Sequence, residues 1–343
     1  MKTKKYIHIC PDEKFITPAA ELFWEIDKEN HEFIIYSKNK NLNYENKHNM
    51  KVFTPYSLIK HIIGNIDKFK HNIVIFHSVQ RLPKLISLIL PKDTITVWIG
   101  FGYDYYCYES KRRKSSLLNE ILDKLFLARI NYFAPVLETE YELVKKHFPK
   151  FKAKLLDWNY DLISGFLKKE YYSYGENILL GNSATETNNH PEIIEILSEL
   201  NVKKEIIIPL SYGSNNYKKK ILSLIKSKKL SITPLTEYLA IDDYYSKLGS
   251  CSHVIMNHNR QQAYGNIAMA LFMGSKIFLR RNNPLYEYLV KKGFTIYSIE
   301  DIPHEINTNL DEDIKNKNRA LIEKFFSRNA FIEKTRNFIS NIL

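Results

Sequence analysis

The sequence predicts an α/β protein made of two doubly wound halves, and three observations carry that expectation. Short β-branched or aromatic runs alternate with amphipathic stretches along the chain, the texture of a parallel sheet covered by helices. The length of 343 residues exceeds the ~100 to 200 residues of one typical core, so two domains are expected. The alternation is interrupted once, where Lys168-Lys169-Glu170-Tyr171-Tyr172-Ser173-Tyr174-Gly175-Glu176 is polar and irregular and a new series begins at Asn177.

In the first half, strands are expected near 5–10, 32–36, 72–76, 94–98, 131–134 and 153–156, with helices at 16–28, 56–68, 112–129 and 138–147 between them. After a linker near 160–176, strands are expected near 177–181, 204–208, 252–256, 276–279 and 294–297. Helices near 191–200, 214–228, 241–249, 263–273 and 284–291 accompany them, and two amphipathic helices, 311–326 and 328–341, close the chain. Such halves bind ligands outside the carboxyl ends of their strands, and two of them are expected to face a cleft.

Composition narrows the setting. Hydrophobic residues at 44% and aromatic residues at 13% supply two cores and exclude a disordered chain. Tyr6-Ile7-His8-Ile9-Cys10 is too short and polar for a signal-peptide core, and Leu85-Ile86-Ser87-Leu88-Ile89-Leu90 is far short of the ~20 residues of a membrane span. A cytoplasmic protein is expected. Cys10, Cys107 and Cys251 are widely spaced, with no zinc-ligand pattern, and read as reduced thiols. The net charge of +12 is spread over Lys111-Arg112-Arg113-Lys114, Lys145 to Lys154, Lys218-Lys219-Lys220 and Lys226 to Lys229. No recognition helix, zinc finger or RNA-binding aromatic motif accompanies these clusters, so nucleic acid is not an expected partner. Those at 111–114 and 145–154 suit an anionic lipid surface, each basic side chain there contributing about 1 kcal/mol.

Four polar turns follow four apolar strands of the second half. Gly181-Asn182-Ser183 leads through Thr185, Thr187, Asn188 and Asn189 to a helix opening at His190-Pro191, a helix N-terminus able to hold a phosphate. Pro209-Leu210-Ser211-Tyr212-Gly213-Ser214 follows, with Tyr212 placed to stack on a base or sugar. Arg260-Gln261-Gln262 before the helix at 263–273 is donor-rich and suits a diphosphate, and Gly265 is expected to admit close approach of a ligand. Arg280-Arg281-Asn282-Asn283-Pro284 is the fourth turn. Singly, each also reads as ordinary turn and capping chemistry; together, on one sheet edge, they mark a site.

In order and spacing these segments resemble the bacterial 4-acetamido-4,6-dideoxygalactosyl transferases of the 4-alpha-L-fucosyltransferase type. The residues that carry the resemblance are Gly181-Asn182-Ser183 with Asn188 and His190, Pro209 with Tyr212 and Asn215-Asn216, Asp242 with Tyr244, Arg260-Gln261-Gln262 with Gly265, and Asn283-Pro284. Ile7-His8, Phe76-His77, Trp98 with Gly102, Asp104 and Tyr106, and Phe133-Ala134 extend it through the first half. The resemblance implies a GT-B-type fold of two Rossmann-like domains and a dTDP-linked deoxyamino-sugar donor. It also implies an undecaprenyl-diphosphate-linked saccharide acceptor at the cytoplasmic face of the bacterial inner membrane, as in common-antigen or O-antigen assembly. It implies no metal and no cofactor. Asp311-Glu312-Asp313 accordingly reads as acidic residues opening a helix, and Asp242-Asp243 as capping, rather than as metal ligands.

The expected division is 1–165 for the acceptor, 166–310 for the nucleotide sugar, and 311–343 as helices packing back towards the first domain. Sugar transfer builds charge on the departing diphosphate. Arg260, aided by Gln261, Gln262 and the backbone of Gly181-Asn182-Ser183, is expected to meet it, with Pro209, Tyr212, Gly265 and Asn283 completing the donor site. The acceptor hydroxyl needs a base; Asp104, beyond the strand ending at Trp98, is the first candidate, with His8 and His77 as alternatives. A sugar-nucleotide epimerase of the same fold and a non-catalytic nucleotide-sugar-binding protein stay open as alternatives.

Overall fold

The computed structural model describes residues 4–38, 49–108 and 117–342. The basic run 111–114 and the start of the expected helix 112–129 lie outside the described residues. The chain divides into two compact units, Met1–Asp161 with Arg328–Leu343, and Leu162–Ser327.

The first unit carries β1 (Tyr6–Pro11), α1 (Ile16–Asp27), β2 (His31–Tyr36), β3 (Met50–Phe53), α2 (Pro55–Gly64), β4 (Ile73–His77), α3 (Arg81–Ile89), β5 (Ile95–Ile99), α4 (Tyr103–Tyr106), α5 (Leu117–Arg129), β6 (Tyr132–Ala134), α6 (Glu140–His147) and β7 (Lys154–Leu155). Its sheet is parallel, in the order β3-β2-β1-β4-β5-β6-β7, so the winding reverses between β1 and β4. Alternation along β1 sends Ile7 and Ile9 to one face, where they join Leu58 and Ile62 of α2, Ile86 of α3 and Phe126 of α5 in the core. His8 points to the other face, against Phe23 of α1 and Phe33 of β2.

The second unit runs β8 (Asn177–Leu180), α7 (His190–Glu199), β9 (Ile206–Pro209), α8 (Asn215–Lys226), β10 (Ile232–Leu235), α9 (Ile241–Gly249), β11 (Cys251–Met256), α10 (Tyr264–Met273), β12 (Lys276–Leu279), α11 (Pro284–Lys291), β13 (Tyr297–Ser298), α12 (Ile302–Glu305) and α13 (Glu312–Phe326). Its parallel sheet has the order β10-β9-β8-β11-β12-β13, with the winding reversing between β8 and β11. Ile193, Ile194 and Leu197 of α7 and Ile221 of α8 cover one face. The α10 helix is buried from Ile267 to Met273, because β12 lies on one side of it and α13 on the other.

Two strands, β3 and β10, were not expected. Both are sheet edges, and β10 contains Pro234, which cannot donate to a ladder and argues against a central strand. The expected terminal segment 311–343 does not behave as one piece. Phe326 of α13 packs its ring against Tyr264, with centroids 5.5 Å apart, and the Arg319 guanidinium lies 4.0 Å over Phe272, which ties α13 to the second unit. After Ser327 the chain enters α14 (Arg328–Ser340) in the first unit, where Phe338 meets Phe23 and Thr335 Oγ1 accepts from Trp158 Nε1 at 2.9 Å. Likewise Leu162 to Gly165 belong to the second unit rather than the first. No helix among the described residues is long and apolar enough to cross a membrane.

Candidate functional site

The β8/β11 reversal leaves a crevice at the carboxyl ends of the strands, and the polar turns of the second half converge on it. Leu180 ends β8, and the chain turns through Gly181 at φ +70°, a left-handed conformation natural to glycine. A side chain at Gly181 would also collide with its surroundings, its Cβ falling 2.4 Å from His190 Nε2 and 2.7 Å from Asn188 Oδ1.

Asn188, fully buried, organises the turn. Its Oδ1 accepts from the Asn182 backbone N–H and from His258 Nε2, both at 2.9 Å. Its Nδ2 donates to the Ser183 carbonyl at 3.0 Å and to Thr185 Oγ1 at 2.8 Å. One amide thereby joins the loop after β8 to the loop after β11. A second amide link runs above it: Gln262 Nε2 donates to Asn182 Oδ1 at 3.1 Å, and Thr187 donates to Gln262 Oε1 at 2.7 Å. Asn182 Nδ2 donates in turn to the Tyr212 hydroxyl at 2.9 Å. Tyr212, on the loop after β9, is 55% exposed.

Burial sets the charge of the histidines here. It lowers His258 to about 3, with repulsion from His190 and Arg260 adding to the effect, and lowers His190 to about 4. Both are neutral at pH 7. Arg260 lies on the same 257–263 loop, and its charge adds to the lowering of His258. The network presents carboxamides and hydroxyls, donors suited to an anion, while Asn257 on the same loop donates to the Glu192 carboxylate at 3.1 Å.

Of the residues expected in the donor site, Gly181, Asn182, Ser183, Tyr212 and Gln262 come together, with Arg260 and Gln261 on the same loop. Three other expected residues pack against the protein itself. Gly265 is half-buried, and a Cβ added there would lie 3.3 Å from the Leu162 Cβ, so the glycine makes room for Leu162. Asn283 is buried and spends its amide on the protein, donating to the His258 carbonyl at 3.0 Å and capping α11 through Leu285 N–H at 3.0 Å. Pro209 is buried as the last residue of β9. His258 escaped sequence reasoning; its only signal is that Asn257-His258, two polar residues, directly follow an apolar strand.

The three expected base candidates lie in the first unit. His8 and His77 are interior rather than open to a substrate. His8 Nδ1 meets His77 Nε2 at 2.8 Å, His8 Nε2 meets His31 Nδ1 at 2.9 Å, and His77 Nδ1 meets the Tyr160 hydroxyl at 2.8 Å. Burial lowers His77 to about 3 and His31 to about 4, and holds His8 well below its usual value, so the chain of rings is neutral. They were expected as alternative bases, but α1 and α14 cover that face of the sheet. Asp104, in α4, is also buried. Its carboxylate accepts from Val79 N–H at 3.0 Å, Trp98 Nε1 at 2.9 Å and Phe101 N–H at 2.9 Å. Burial raises its pKa, with these donors opposing the rise. Unlike the histidines, Asp104 borders a cavity of ≈ 310 Å³, together with Gln80, Arg81, Tyr103 and Asn119.

Solved structures share this architecture over their full length. HepE of Anabaena, in complex with UDP and glucose, superposes with a TM-score of 0.69 at 11% identity, covering 98% of this chain and 100% of that one. TarM superposes at 0.69 with 12% identity, covering 99% of each chain. A glycosyltransferase of Rickettsia africae superposes at 0.69 with 14% identity, covering 100% and 99%. At such identities the likeness is one of fold, and the fold is GT-B. The 4-alpha-L-fucosyltransferase family, glycosyl transferase group 56, matches residues 19–341. With nearly its whole length so matched, this chain belongs to that family and is a glycosyltransferase.

Proposed function

We propose that this glycosyltransferase holds a nucleoside-diphosphate sugar on the carboxyl edge of its second sheet and passes the sugar to a lipid-linked saccharide. The observation that carries the donor side is the amide network across the β8/β11 reversal, Asn182 with Gln262 and Asn188 with His258, with Arg260 on the same loop as Gln262 and His258. HepE, of the same fold, is described with UDP and glucose. The sequence resemblance favours dTDP-linked 4-acetamido-4,6-dideoxygalactose as the donor, and an undecaprenyl-diphosphate-linked saccharide at the cytoplasmic face of the inner membrane as the acceptor.

Breaking the bond from the anomeric carbon to phosphate leaves negative charge on the diphosphate. Arg260 and the Gln262 amide stabilise that charge more in the transition state than in the bound donor, which is what accelerates the step. Tyr212 stacks on the base or sugar. On the acceptor side, the cavity beside Asp104 takes the saccharide, Asp104 receives the hydroxyl proton, and Arg81, at the start of α3, pairs with phosphate. The His31-His8-His77-Tyr160 chain serves as a rigid neutral support beneath this edge.

The test is a panel of dTDP- and UDP-linked deoxyamino sugars with a membrane extract as acceptor, for the wild type and Arg260→Ala. Transfer from the dTDP-linked sugar is expected, with turnover down by ~10² to 10³ in the variant and folding intact. Transfer from UDP-hexoses alone overturns the donor reading, and near-normal turnover by Arg260→Ala overturns its role. Donor consumed without acceptor overturns the transfer reading.

A further inference from the structure

Helices on the surface of a globular domain normally turn a polar face to water. Three neighbouring helices of the first unit also turn aliphatic side chains to water. On α5 the inner face is buried through Phe126 and Leu127, yet Leu117 is 73% exposed, Leu118 77%, Ile121 45% and Leu125 49%. Spacings of three and four place these four on one stripe facing outward. On α3, which packs against α5, Ile86 points to the core while Leu85, Leu88 and Ile89 form a second exposed stripe. On α2, next to α3, Tyr56 and Ile63 are exposed with Lys60 between them, its Nζ 4.6 Å from the Tyr56 ring centroid.

The charges around these stripes decide what covers them. Lys60, Arg81 and Lys124 are exposed on the three helices against one exposed acidic residue, Glu120. A second copy of the chain, docked face to face, would bring cations against cations. An anionic bilayer surface complements them, takes up leucine side chains at its acyl boundary, and matches the chain's net charge of +12. Helices of this length cannot span, so they lie on the surface. We infer that the outer face of the α2-α3-α5 layer is the membrane-docking surface, with the aliphatic stripes entering the headgroup region of an anionic leaflet and Lys60, Arg81 and Lys124 pairing with lipid phosphates. The run Lys111-Arg112-Arg113-Lys114 lies outside the described residues. The inference rests on the lipid-linked acceptor for its purpose alone.

Sedimentation with vesicles of phosphatidylethanolamine and phosphatidylglycerol, with no sugar nucleotide present, tests it independently of the donor assignment. The full chain is expected to bind, and Leu118→Gln/Ile121→Gln/Leu125→Gln to bind at least ~10-fold more weakly. Tryptophan emission monitors the variant's fold, since Trp24, Trp98 and Trp158 all lie in the first unit. Lys60→Glu/Lys124→Glu, at exposed positions that keep the apolar stripes, is expected to abolish the preference for phosphatidylglycerol over pure phosphatidylcholine vesicles; this variant decides the matter if the triple variant misfolds. Unchanged vesicle binding by both variants overturns the inference. So does a wild-type dimer that the triple variant turns monomeric without losing vesicle binding.

Discussion

Asn188→Ala is the most informative perturbation of the second unit, because one buried amide serves both loops of the site. Truncation leaves the Asn182 N–H and His258 Nε2 without the acceptor they share and deprives the Ser183 carbonyl and Thr185 Oγ1 of a donor. Two stranded buried groups at about 1–3 kcal/mol each give a loss of about 2–6 kcal/mol. All three tryptophans lie in the first unit, so their fluorescence does not report this loss directly. Urea denaturation followed by far-ultraviolet circular dichroism, with hydrogen exchange of the β8 and β11 amides, reads the second unit. Both are expected to register the weakening. Asn188→Asp adds a signature: it keeps one acceptor oxygen but turns the other towards the Ser183 carbonyl, where Nδ2 now donates at 3.0 Å. Its carboxyl is held protonated in the fold, so its pKa is raised there. Stability relative to the wild type should therefore be greatest below the usual carboxylate value of ~4 and fall as pH rises. A loss under about 1 kcal/mol in Asn188→Ala, or an Asn188→Asp deficit flat with pH, would refute this account of the turn.

Two further outcomes follow from the geometry. Gly181→Ala meets both a left-handed backbone, costing roughly 1–2 kcal/mol, and a clash with the His190 ring, so it should destabilise the second unit and weaken nucleotide binding at least ~10-fold; wild-type binding by calorimetry contradicts this. In the first unit, burial raises Glu140 from 4.5 to about 7 despite hydrogen bonds from the Tyr105 and Tyr106 hydroxyls and Leu137 N–H. The folded state thus holds a proton that the unfolded chain has lost. Its stabilising contribution, on the order of 3 kcal/mol at about 1.4 per unit, is complete below about 4.5 and gone as pH rises through 7. Tryptophan-monitored urea melts from pH 5 to 8 should show this slope, and Glu140→Gln should flatten it.

How much of this was legible in the sequence follows from which signals are local. Apolar runs closed by polar turns, such as Ile206–Pro209 before Leu210 to Ser214, located most strands and the turns that follow them, because a buried parallel strand needs a continuous apolar stretch and the turn after it does not. Edge strands lack that need, which is why Met50–Phe53 and the Pro-bearing Ile232–Leu235 were missed. The two closing helices look alike in sequence; only their partners, Tyr264 and Phe272 for one and Phe23 and Trp158 for the other, assign them to different units. Residue type alone could not separate Asn182, whose amide spans the crevice mouth, from Asn283, which caps a helix below it. Nor could it distinguish Asp104 at a cavity wall from His8 and His77 within the core, since that depends on which sheet face α1 and α14 cover.

The central claim is that the activated sugar is held at the β8/β11 reversal by the loops carrying Asn182 and Gln262. Hydrogen–deuterium exchange of the full chain with and without saturating dTDP tests it most directly. Added protection is expected across 181–189 and 257–265, with a smaller effect near Tyr212, and is expected to vanish in Asn182→Ala/Gln262→Ala. Protection confined to the first unit, or unchanged by that double variant, would contradict the claim.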